Sequence, residues 1–426
     1  MDGINVVNKK IMVASSRKKI LISGGWGYAN LGDDAILLST VDLVKEKYPD
    51  SEITVMTYSP PETSGAITDP NIRIIPSIHR QLSGTASLKR LRVADLSKPL
   101  DQGANFQLSS FQKKKRKYLL RFQDFYFANR FELFSKFPGL VSSLNEFESA
   151  DLFIQGGGGY FIEGWKDSFL SRILELKIAH EQAVPILVIG QSIGPITNAR
   201  FRSLATKQLG YADVLSIRDV DSFNELTSYG LKPVLIPDTV LSKSDFDYIK
   251  KPILAILLGS QPLTETQLGL FYETVIKLPD LKNLQIRITV SRLWEADLAN
   301  ASKLFARLKS IANVQLIIPK SSSQLQDTLG ECSVLVSQNL HGLILAWRAG
   351  CACVCINTKR KFISFMEQSG QSSRVSALAD LTKEKLLDFI NEAFQESFTE
   401  RETRRNALST KVKSQFYACL DQIWKS

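Results

Sequence analysis

Residues 334–348 have the sequence VLVSQNLHGLILAWR, in which a short apolar run is followed by a longer amphipathic stretch. The run at 334–336 is typical of a buried strand, and residues 342–348 are typical of a helix. His341 stands between them, at the carboxyl end of the predicted strand and the amino end of the predicted helix. Open α/β sheets bind ligands at this position. An imidazole there can exchange protons near neutral pH and help to hold an anion, although a lone histidine more often caps a helix or stays at the surface.

The same alternation of strand and helix recurs on both sides of this stretch. The first series has predicted strands at 18–23, 52–57, 150–155, 184–189, 213–217 and 233–236, with helices at 33–47 and 168–182. The second series has predicted strands at 253–258, 284–290, 314–317, 334–337 and 352–356, with helices at 265–277, 295–309 and 322–329. Strands that alternate with helices predict an α/β fold with parallel, doubly wound sheets. We therefore expect two Rossmann-like domains that face a central cleft, the default position for a site.

The length of 426 residues favours two domains, because a single hydrophobic core rarely grows so large. We expect an N-terminal domain at 1–245 and a C-terminal domain at 246–400. Residues 401–426 are expected to form a helix that packs back on the N-terminal domain. An insertion at about 80–140 breaks the alternation and carries a basic cluster at 113–117 followed by aromatic residues. This pattern fits a helix at an anionic membrane surface, or a helix packed on the core with one solvated end.

Composition narrows the classes of function. The net charge of +10 is compatible with nucleic acid, a membrane surface or a small anionic substrate, and the lack of a nucleic-acid-binding motif disfavours the first. Neither a long apolar span nor a secretory signal is evident, so we expect a cytoplasmic protein. Cys351, Cys353 and Cys355 alternate along one predicted strand, which favours small buried side chains over a metal site. No metal is expected.

Polar or glycine-rich segments follow five of the predicted strands, at 23–35, 156–159, 190–195, 216–219 and 337–342. The first segment has neither the Gly-Lys-Ser/Thr of a phosphate-binding loop nor the third glycine of a dinucleotide fingerprint, so no cofactor is expected. Asn30 and Asp33 are candidate contacts for a hydroxyl-bearing ligand, or they only fix the turn, with Asp33 capping the next helix. Arg218 is positioned to clamp a carboxylate or phosphate, unless it only pairs with Asp219 at the surface.

Taken in order, these motifs resemble the polysaccharide pyruvyl transferase family. They are Gly-Tyr-x-Asn-x-Gly-Asp at 27–33, Gly-Gly-Gly-Gly at 156–159, Gly-Gln-Ser-Ile-Gly-Pro at 190–195, Ile-Arg-Asp at 217–219 with Ile-Pro-Asp at 236–238, and Asn-Leu-His-Gly at 339–342. The resemblance spans about residues 19–370, without the insertion. It implies a fold like that of GT-B glycosyltransferases. It also implies transfer of a pyruvyl group from phosphoenolpyruvate to two hydroxyls of a sugar, giving a cyclic ketal in cell-surface polysaccharide biosynthesis.

The resemblance also implies roles for particular residues. His341 is implied as the catalytic residue that supplies or accepts protons. The residues implied in donor binding are Arg218, Asn339, Leu340, Lys359 and Gly194. Those implied in acceptor binding are Tyr28, Asn30, Asp33, Gly157 and Gly158. The implied partners are phosphoenolpyruvate and a lipid-linked or nucleotide-linked sugar. A lipid-linked acceptor would bring the protein to the inner face of the membrane, where the basic insertion would contact it.

The sequence departs from the family pattern next to the histidine. The family usually has arginine two residues before it, and Asn339 cannot supply that charge. A later Tyr-Asp-x-Lys signature is reduced to Asn-Thr-Lys at 357–359, so Lys359, Arg360 or Arg348 would have to compensate. Two alternatives therefore stay open. One is a GT-B-type glycosyltransferase that uses a nucleotide sugar, and the other is a catalytically impaired sugar-binding member of the pathway.

Overall fold

Parallel strands form two separate sheets in the computed structural model of this protein, which describes residues 17–67, 69–78, 80, 138–163, 166–244, 248–311 and 313–425. The strands of each sheet alternate with helices along the chain. The expected α/β fold with parallel sheets is therefore confirmed. The basic cluster at 113–117 and most of the predicted insertion lie outside the described residues.

The first sheet has the strand order β3-β2-β1-β4-β6-β7-β8, with β5 paired to β6. Its strands are β1 (Lys19–Ser23), β2 (Glu52–Thr57), β3 (Ile72–Pro76), β4 (Leu152–Gln155), β5 (Gly158–Phe161), β6 (Ile186–Ile193), β7 (Val214–Ile217) and β8 (Val234–Leu235). The helices between them are α1 (Leu31–Lys47), α2 (Pro60–Ala66), α3 (Pro138–Ser149), α4 (Lys166–Glu181), α5 (Ala199–Leu209) and α6 (Val220–Ser228). The turn predicted at 190–195 is partly wrong, because β6 continues through Ile193 and pairs with both β5 and β7.

The second sheet has the strand order β11-β10-β9-β12-β13. Its strands are β9 (Lys251–Leu257), β10 (Gln285–Thr289), β11 (Asn313–Ile317), β12 (Cys332–Ser337) and β13 (Ala352–Cys355). The helices are α7 (Glu265–Val275), α8 (Glu295–Leu308), α9 (Ser322–Gly330), α10 (Leu340–Arg348), α11 (Arg360–Gln368), α12 (Lys383–Gln395) and α13 (Phe398–Lys425). None of the helices in the described ranges is long and apolar enough to cross a membrane.

The cysteines of β13 lie on one face of the strand, as the alternation predicts. Cys351, Cys353 and Cys355 are buried in one hydrophobic cluster, whereas Ala352 and Val354 between them belong to another. Their role as small buried side chains is confirmed.

The last helix, α13, contacts the domains of both sheets. From α13, Asp421 pairs with Lys47 of α1 at 2.9 Å, and the Lys18 ammonium lies 3.6 Å from the Trp424 ring. On its other side, Arg405 donates to the carbonyl of Arg348 at 3.1 Å. The Arg348 side chain is itself buried and bonded to Gln326 and to the carbonyl of Val240. Arg348 therefore has a structural role, and its expected compensation for the missing arginine is wrong.

Candidate active site

The turn from β12 into α10 places His341 as the second residue of the helix. The Asn339 side-chain oxygen caps this helix by accepting a hydrogen bond from the Gly342 amide at 3.0 Å. The Ser337 hydroxyl accepts from the Asn339 amide at 2.9 Å and fixes the residue before the helix. The neutral residue at 339 therefore holds the turn that presents His341.

Asp33 of α1 meets His341 from the other domain. Its Oδ1 atom lies 3.7 Å from Nδ1 of His341, and its Oδ2 atom accepts from Nδ2 of Asn30 at 2.5 Å. The two side chains are only 10% and 12% exposed. Asp33 stands inside the first turn of α1 and Asn30 at its N-cap position, so the expected capping by Asp33 is wrong. The carboxylate faces the imidazole instead.

Backbone pairing between the two domains sets this distance. The Leu31 amide donates to the carbonyl of Ser291 at 2.9 Å, and the Leu293 amide donates to the carbonyl of Ala29 at 2.9 Å. The Trp294 indole donates to the carbonyl of Tyr28 at 3.0 Å, and the Tyr28 ring stacks on Tyr58. Main-chain atoms therefore fix α1 against the second domain, and flexible side chains are not needed to bring Asp33 to His341.

Gly32 leaves the room that His341 occupies. A Cβ atom at this position would lie 2.2 Å from Cβ and 2.3 Å from Nδ1 of His341, far inside van der Waals contact. Any side chain here would displace the imidazole from Asp33. The lack of a side chain at Gly32 is therefore what allows His341 to approach Asp33.

Burial determines the protonation states of His341 and Asp33. Desolvation, helped by the nearby Arg218 cation, lowers the pKa of His341 to about 3. Desolvation also raises the pKa of Asp33 to about 6, although the Tyr160 hydroxyl and Arg218 oppose the rise. At neutral pH the imidazole is therefore neutral and the carboxylate mostly ionised. A neutral imidazole has a free lone pair, so His341 can accept a proton at this pH.

Two buried acceptor or donor atoms at the site have no hydrogen-bond partner among the described residues. They are Nε2 of His341 and Oδ1 of Asn30. Buried polar atoms are normally paired with a hydrogen-bond partner. Both of these unpaired atoms belong to residues that contact Asp33, an arrangement typical of a site that a polar ligand completes.

Arg218 lies behind the site at the end of β7. Its side chain is 5% exposed. Its Nε atom donates to the Ser192 hydroxyl at 2.8 Å, and its Nη1 atom pairs with Asp238 at 2.5 Å. Asp219 instead caps α6 by accepting from the Ser222 amide at 2.9 Å. The alternative of a surface pair with Asp219 is therefore wrong, and Arg218 is a buried, oriented cation.

Lys361 is a residue of this site that sequence reasoning missed. It is partly buried in the first turn of α11, and its pKa is lowered to about 8 by burial, with Arg218 adding to the fall and Asp33 opposing it. Lys359, the predicted residue, is exposed at the N-cap position of α11. Arg360 is also exposed and lies 3.5 Å from Asp221. The basic run at 359–361 was visible in the sequence, but the start of the helix decides which side chain turns inward.

Tyr160, Asp238 and Ser192 were also missed. Tyr160 follows the four glycines and donates to the carbonyl of Gly25 at 2.9 Å, while Asp238 belongs to the quoted Ile-Pro-Asp motif. Both motifs were visible in the sequence, yet only the packed domains show that these side chains surround Asp33 and Arg218.

The predicted glycines have packing roles of their own. A Cβ on Gly157 would lie 2.9 Å from the carbonyl oxygen of Gly190, and Gly158, at φ +146, would meet the Tyr160 ring. Gly194, at φ +82, would meet the Glu225 carboxylate. The amide of Ile196, two residues later, donates to that carboxylate at 2.7 Å, so this amide already has a hydrogen-bond partner. Ligand binding by these glycines stays a prediction.

No group of three or more potential metal-ligating side chains occurs within the described part of the chain.

Replacing Gly32 by alanine is expected to lower turnover by about 10²-fold while the protein stays folded, because a displacement of about 1 Å in a catalytic group has an effect of that size. The measurement is kcat together with the melting temperature. The matched control is Gly269→Ala in α7, where nothing lies within 4 Å of the added methyl group. Equal turnover in both variants would contradict the close approach of Gly32 to His341.

Comparisons with known proteins identify the family and the fold of this chain. A family model described as polysaccharide pyruvyl transferase matches residues 30–360, a range that contains Asn30, Asp33, Arg218 and His341. The match covers more than half of the chain.

Solved structures show the same fold at low identity. The UDP-GlcNAc 2-epimerase of Neisseria meningitidis bound to UDP-GlcNAc aligns with a TM-score of 0.54 and 12% identity, over 96% of this chain and 100% of that chain. Anabaena HepE in complex with UDP aligns with a TM-score of 0.56 and 9% identity, over 95% of this chain and 99% of that chain. The two domains therefore have a GT-B-like arrangement. By its matched sequence and its fold, this chain belongs to the polysaccharide pyruvyl transferase family.

Proposed function

We propose that this protein transfers the pyruvyl group of phosphoenolpyruvate to two hydroxyls of one sugar, forming a cyclic ketal. The observation that carries the proposal is the buried, unpaired Nε2 atom of a neutral His341, whose Nδ1 atom lies 3.7 Å from the Asp33 carboxylate. Addition of an alcohol to an enol phosphate is assisted by a base at the hydroxyl, and binding of the anionic donor needs positive charge.

The donor carries a carboxylate and a phosphate. Arg218 is suited to it, since its Nη2 atom makes no hydrogen bond within the described ranges while its Nε and Nη1 atoms are already bonded. The amino end of α10, beginning at Leu340, adds backbone N–H groups and the positive end of a helix dipole. Donor contacts by Asn339, Lys359 and Gly194 remain part of the proposal, although the Asn339 oxygen already caps the helix.

The reaction then proceeds in two steps. In the first, Nε2 of His341 accepts the proton of one sugar hydroxyl as its oxygen bonds to C2 of the donor, and the imidazolium passes that proton to C3. Asp33 stabilises the imidazolium in between. In the second, the other hydroxyl bonds to C2 as the bond from C2 to the phosphate oxygen breaks, and its proton passes through His341 to the departing phosphate. The products are the ketal and inorganic phosphate.

The acceptor side is formed by the first domain. The unpaired Oδ1 atom of Asn30 can accept a hydrogen bond from a sugar hydroxyl, and the partly exposed Tyr28 and Tyr58 rings provide a flat surface for a sugar face. We propose a nucleotide-linked or lipid-linked sugar as the acceptor. The two structural neighbours were solved with UDP-GlcNAc and with UDP, which makes nucleotide-linked sugars the first to test.

The proposed setting is cell-surface polysaccharide biosynthesis in the cytoplasm. A lipid-linked acceptor would bring the protein to the inner face of the membrane as a peripheral enzyme. The net charge of +10 supports contact with an anionic surface.

The proposal is tested by incubating the purified protein with phosphoenolpyruvate and a panel of UDP-linked and lipid-linked sugars while phosphate release is followed. We expect release that requires both donor and acceptor. Release of UDP without phosphate would instead support a glycosyltransferase, which the fold of the neighbours also accommodates. Acceptor binding without release of either product would support a sugar-binding protein.

A further inference from the structure

We infer that Tyr160 is a positioning residue for the proposed reaction, because its hydroxyl group keeps the Asp33 carboxylate ionised and directed at His341. This inference rests on the proposed function. Tyr160 follows the four glycines and lies in β5, and the family resemblance implied no role for it.

Glycines after β1 and at the start of β5 form the slot in which the Tyr160 ring lies. A Cβ atom on Gly25 would lie 1.8 Å from Cζ, the ring carbon that carries the hydroxyl group. A Cβ atom on Gly158, at φ +146, would lie 2.0 Å from Cε2 of the same ring. Tyr160 is only 6% exposed. The two glycines therefore enclose the ring and fix the position of its hydroxyl group.

The hydroxyl group of Tyr160 has two acceptors. It donates to the carbonyl of Gly25 at 2.9 Å, and it lies close enough to Asp33 to act on that carboxylate as a hydrogen-bond donor. Burial, together with the charge of Asp33, raises the pKa of Tyr160 well above its usual range, so the hydroxyl keeps its proton. A hydroxyl proton can rotate between acceptors. It can therefore go to Asp33 when that carboxylate is ionised and to Gly25 when Asp33 is protonated.

This hydrogen bond stabilises the ionised form of Asp33. Burial raises the pKa of Asp33 to about 6, and the Tyr160 hydroxyl has the largest effect among the groups that oppose the rise. Without the hydroxyl, the carboxylate would gain its proton closer to neutral pH. A protonated Asp33 could not stabilise the imidazolium that forms on His341.

The Tyr160 hydroxyl also adds a third contact to a carboxylate that has two others. Oδ2 of Asp33 accepts from Nδ2 of Asn30 at 2.5 Å, and Oδ1 lies 3.7 Å from Nδ1 of His341. These two groups come from the turn before α1 and from α10, whereas Tyr160 comes from β5. Contacts from three parts of the chain limit the rotation of the carboxylate away from the imidazole.

The other charged or titratable groups around Asp33 and Tyr160 do not depend on the hydroxyl. They are Asp34 of α1, Arg172 of α4, Arg218 after β7, His341 of α10 and Lys361 of α11. Arg172 is paired with Glu175 at 2.7 Å, and Arg218 is paired with Asp238. Asp34, whose pKa burial raises to about 7, accepts from the Gly27 amide at 3.2 Å. A variant that lacks only the hydroxyl keeps all of these groups.

The kinetic test is the pH profile of kcat for phosphate release by Tyr160→Phe, which keeps the ring in its slot and removes the hydroxyl. The decline expected for the wild type near pH 6 should move up by about one pH unit, the effect of losing one hydrogen bond to a charged group. The kcat of the variant should then be about fivefold below that of the wild type at pH 6 and within about twofold of it at pH 8.5. A purely structural role would lower kcat equally at both pH values.

Tyr211→Phe is the matched control, since the Tyr211 ring stacks on His180 and lies away from the residues that surround Asp33. This variant should keep the wild-type profile. A decline at the same pH in the wild type and in Tyr160→Phe would overturn the inference. A melting temperature close to that of the wild type shows that each variant is folded.

A second measurement needs no substrate. Carbon-13 NMR of the whole protein, labelled at the aspartate carboxyl carbons, follows the protonation of Asp33, whose signal is identified by its absence in Asp33→Asn. The titration midpoint, about 6 in the wild type, should rise by about one unit in Tyr160→Phe and stay unchanged in Tyr211→Phe. Equal midpoints in the wild type and in Tyr160→Phe would show that the hydroxyl does not hold Asp33 ionised.

These outcomes distinguish the two proposals. If the wild type releases phosphate and Tyr160→Phe has the wild-type profile and midpoint, only the role of Tyr160 fails. If the wild type releases no phosphate with any acceptor, the proposed function fails, and the NMR titration still decides whether the hydroxyl controls the charge of Asp33.

Discussion

Replacing His341 by alanine is expected to lower kcat for phosphate release by about 10²- to 10⁴-fold, with a much smaller change in the apparent affinity for the donor. The reason is that the imidazole is the group placed to accept the hydroxyl proton, whereas the donor is held by cations. The variant should fold, because the domains are joined here by backbone bonds between Leu31 and Ser291 and between Leu293 and Ala29. The measurement is a steady-state assay with saturating acceptor.

A second histidine provides the matched control. His180 is exposed at the end of α4 and stacks on Tyr211, away from the residues that surround Asp33. His180→Ala should keep the wild-type kcat. If His341→Ala kept more than about a tenth of wild-type turnover, another group would have to be the base, and the mechanism proposed here would be wrong.

Replacing Asp33 by asparagine is expected to lower kcat by about 10²- to 10³-fold. The carboxylate stabilises the imidazolium that forms on His341, and a neutral amide would not. The amide has one acceptor oxygen instead of two, so it cannot offer an oxygen both to His341 and to Nδ2 of Asn30. The fold should survive, because burial already raises the pKa of Asp33 to about 6 and so weakens the preference for its ionised form.

The pH profile distinguishes this role from a structural one. In the wild type, kcat should fall as the pH drops through about 6, since Asp33 gains a proton there. His341, with its pKa lowered to about 3, does not titrate in that range. Asp33→Asn should lose this decline. The control is Asp34→Asn, whose carboxylate accepts from the Gly27 amide at 3.2 Å, and it should keep the decline. An unchanged profile in Asp33→Asn would assign the decline to another group.

The sequence was sufficient to predict the parallel sheets and the strand end that carries His341. Apolar runs followed by glycine or polar residues mark the carboxyl ends of strands, and parallel strands bring those ends to one edge. The stretch at 334–348 therefore predicted β12 and α10 almost at their observed bounds. The ordered motifs then indicated the family, which the match over residues 30–360 shows.

The partners of the site residues could not be predicted, because they depend on how the domains pack. Nothing local in the sequence indicates that Asp33 faces His341, or that Arg218 pairs with Asp238 rather than with its neighbour Asp219. Lys361 was passed over for Lys359 because a difference of two residues at the start of a helix reverses which side chain points inward. The turn at 190–195 was predicted from its glycines. The segment instead continues as β6, because a strand that pairs with a neighbour on both sides can contain a glycine.

The most direct test of the central claim is the structure of the product formed in heavy water. The wild type, given phosphoenolpyruvate and a sugar acceptor, should yield a sugar whose mass has increased by pyruvate less one water, with inorganic phosphate in equal amount. Because C3 receives its proton from the exchanged hydroxyl through His341, the methyl group of the ketal should carry one deuterium. A product that retains the phosphate, or a sugar linked through its anomeric carbon with release of UDP, would contradict pyruvyl transfer.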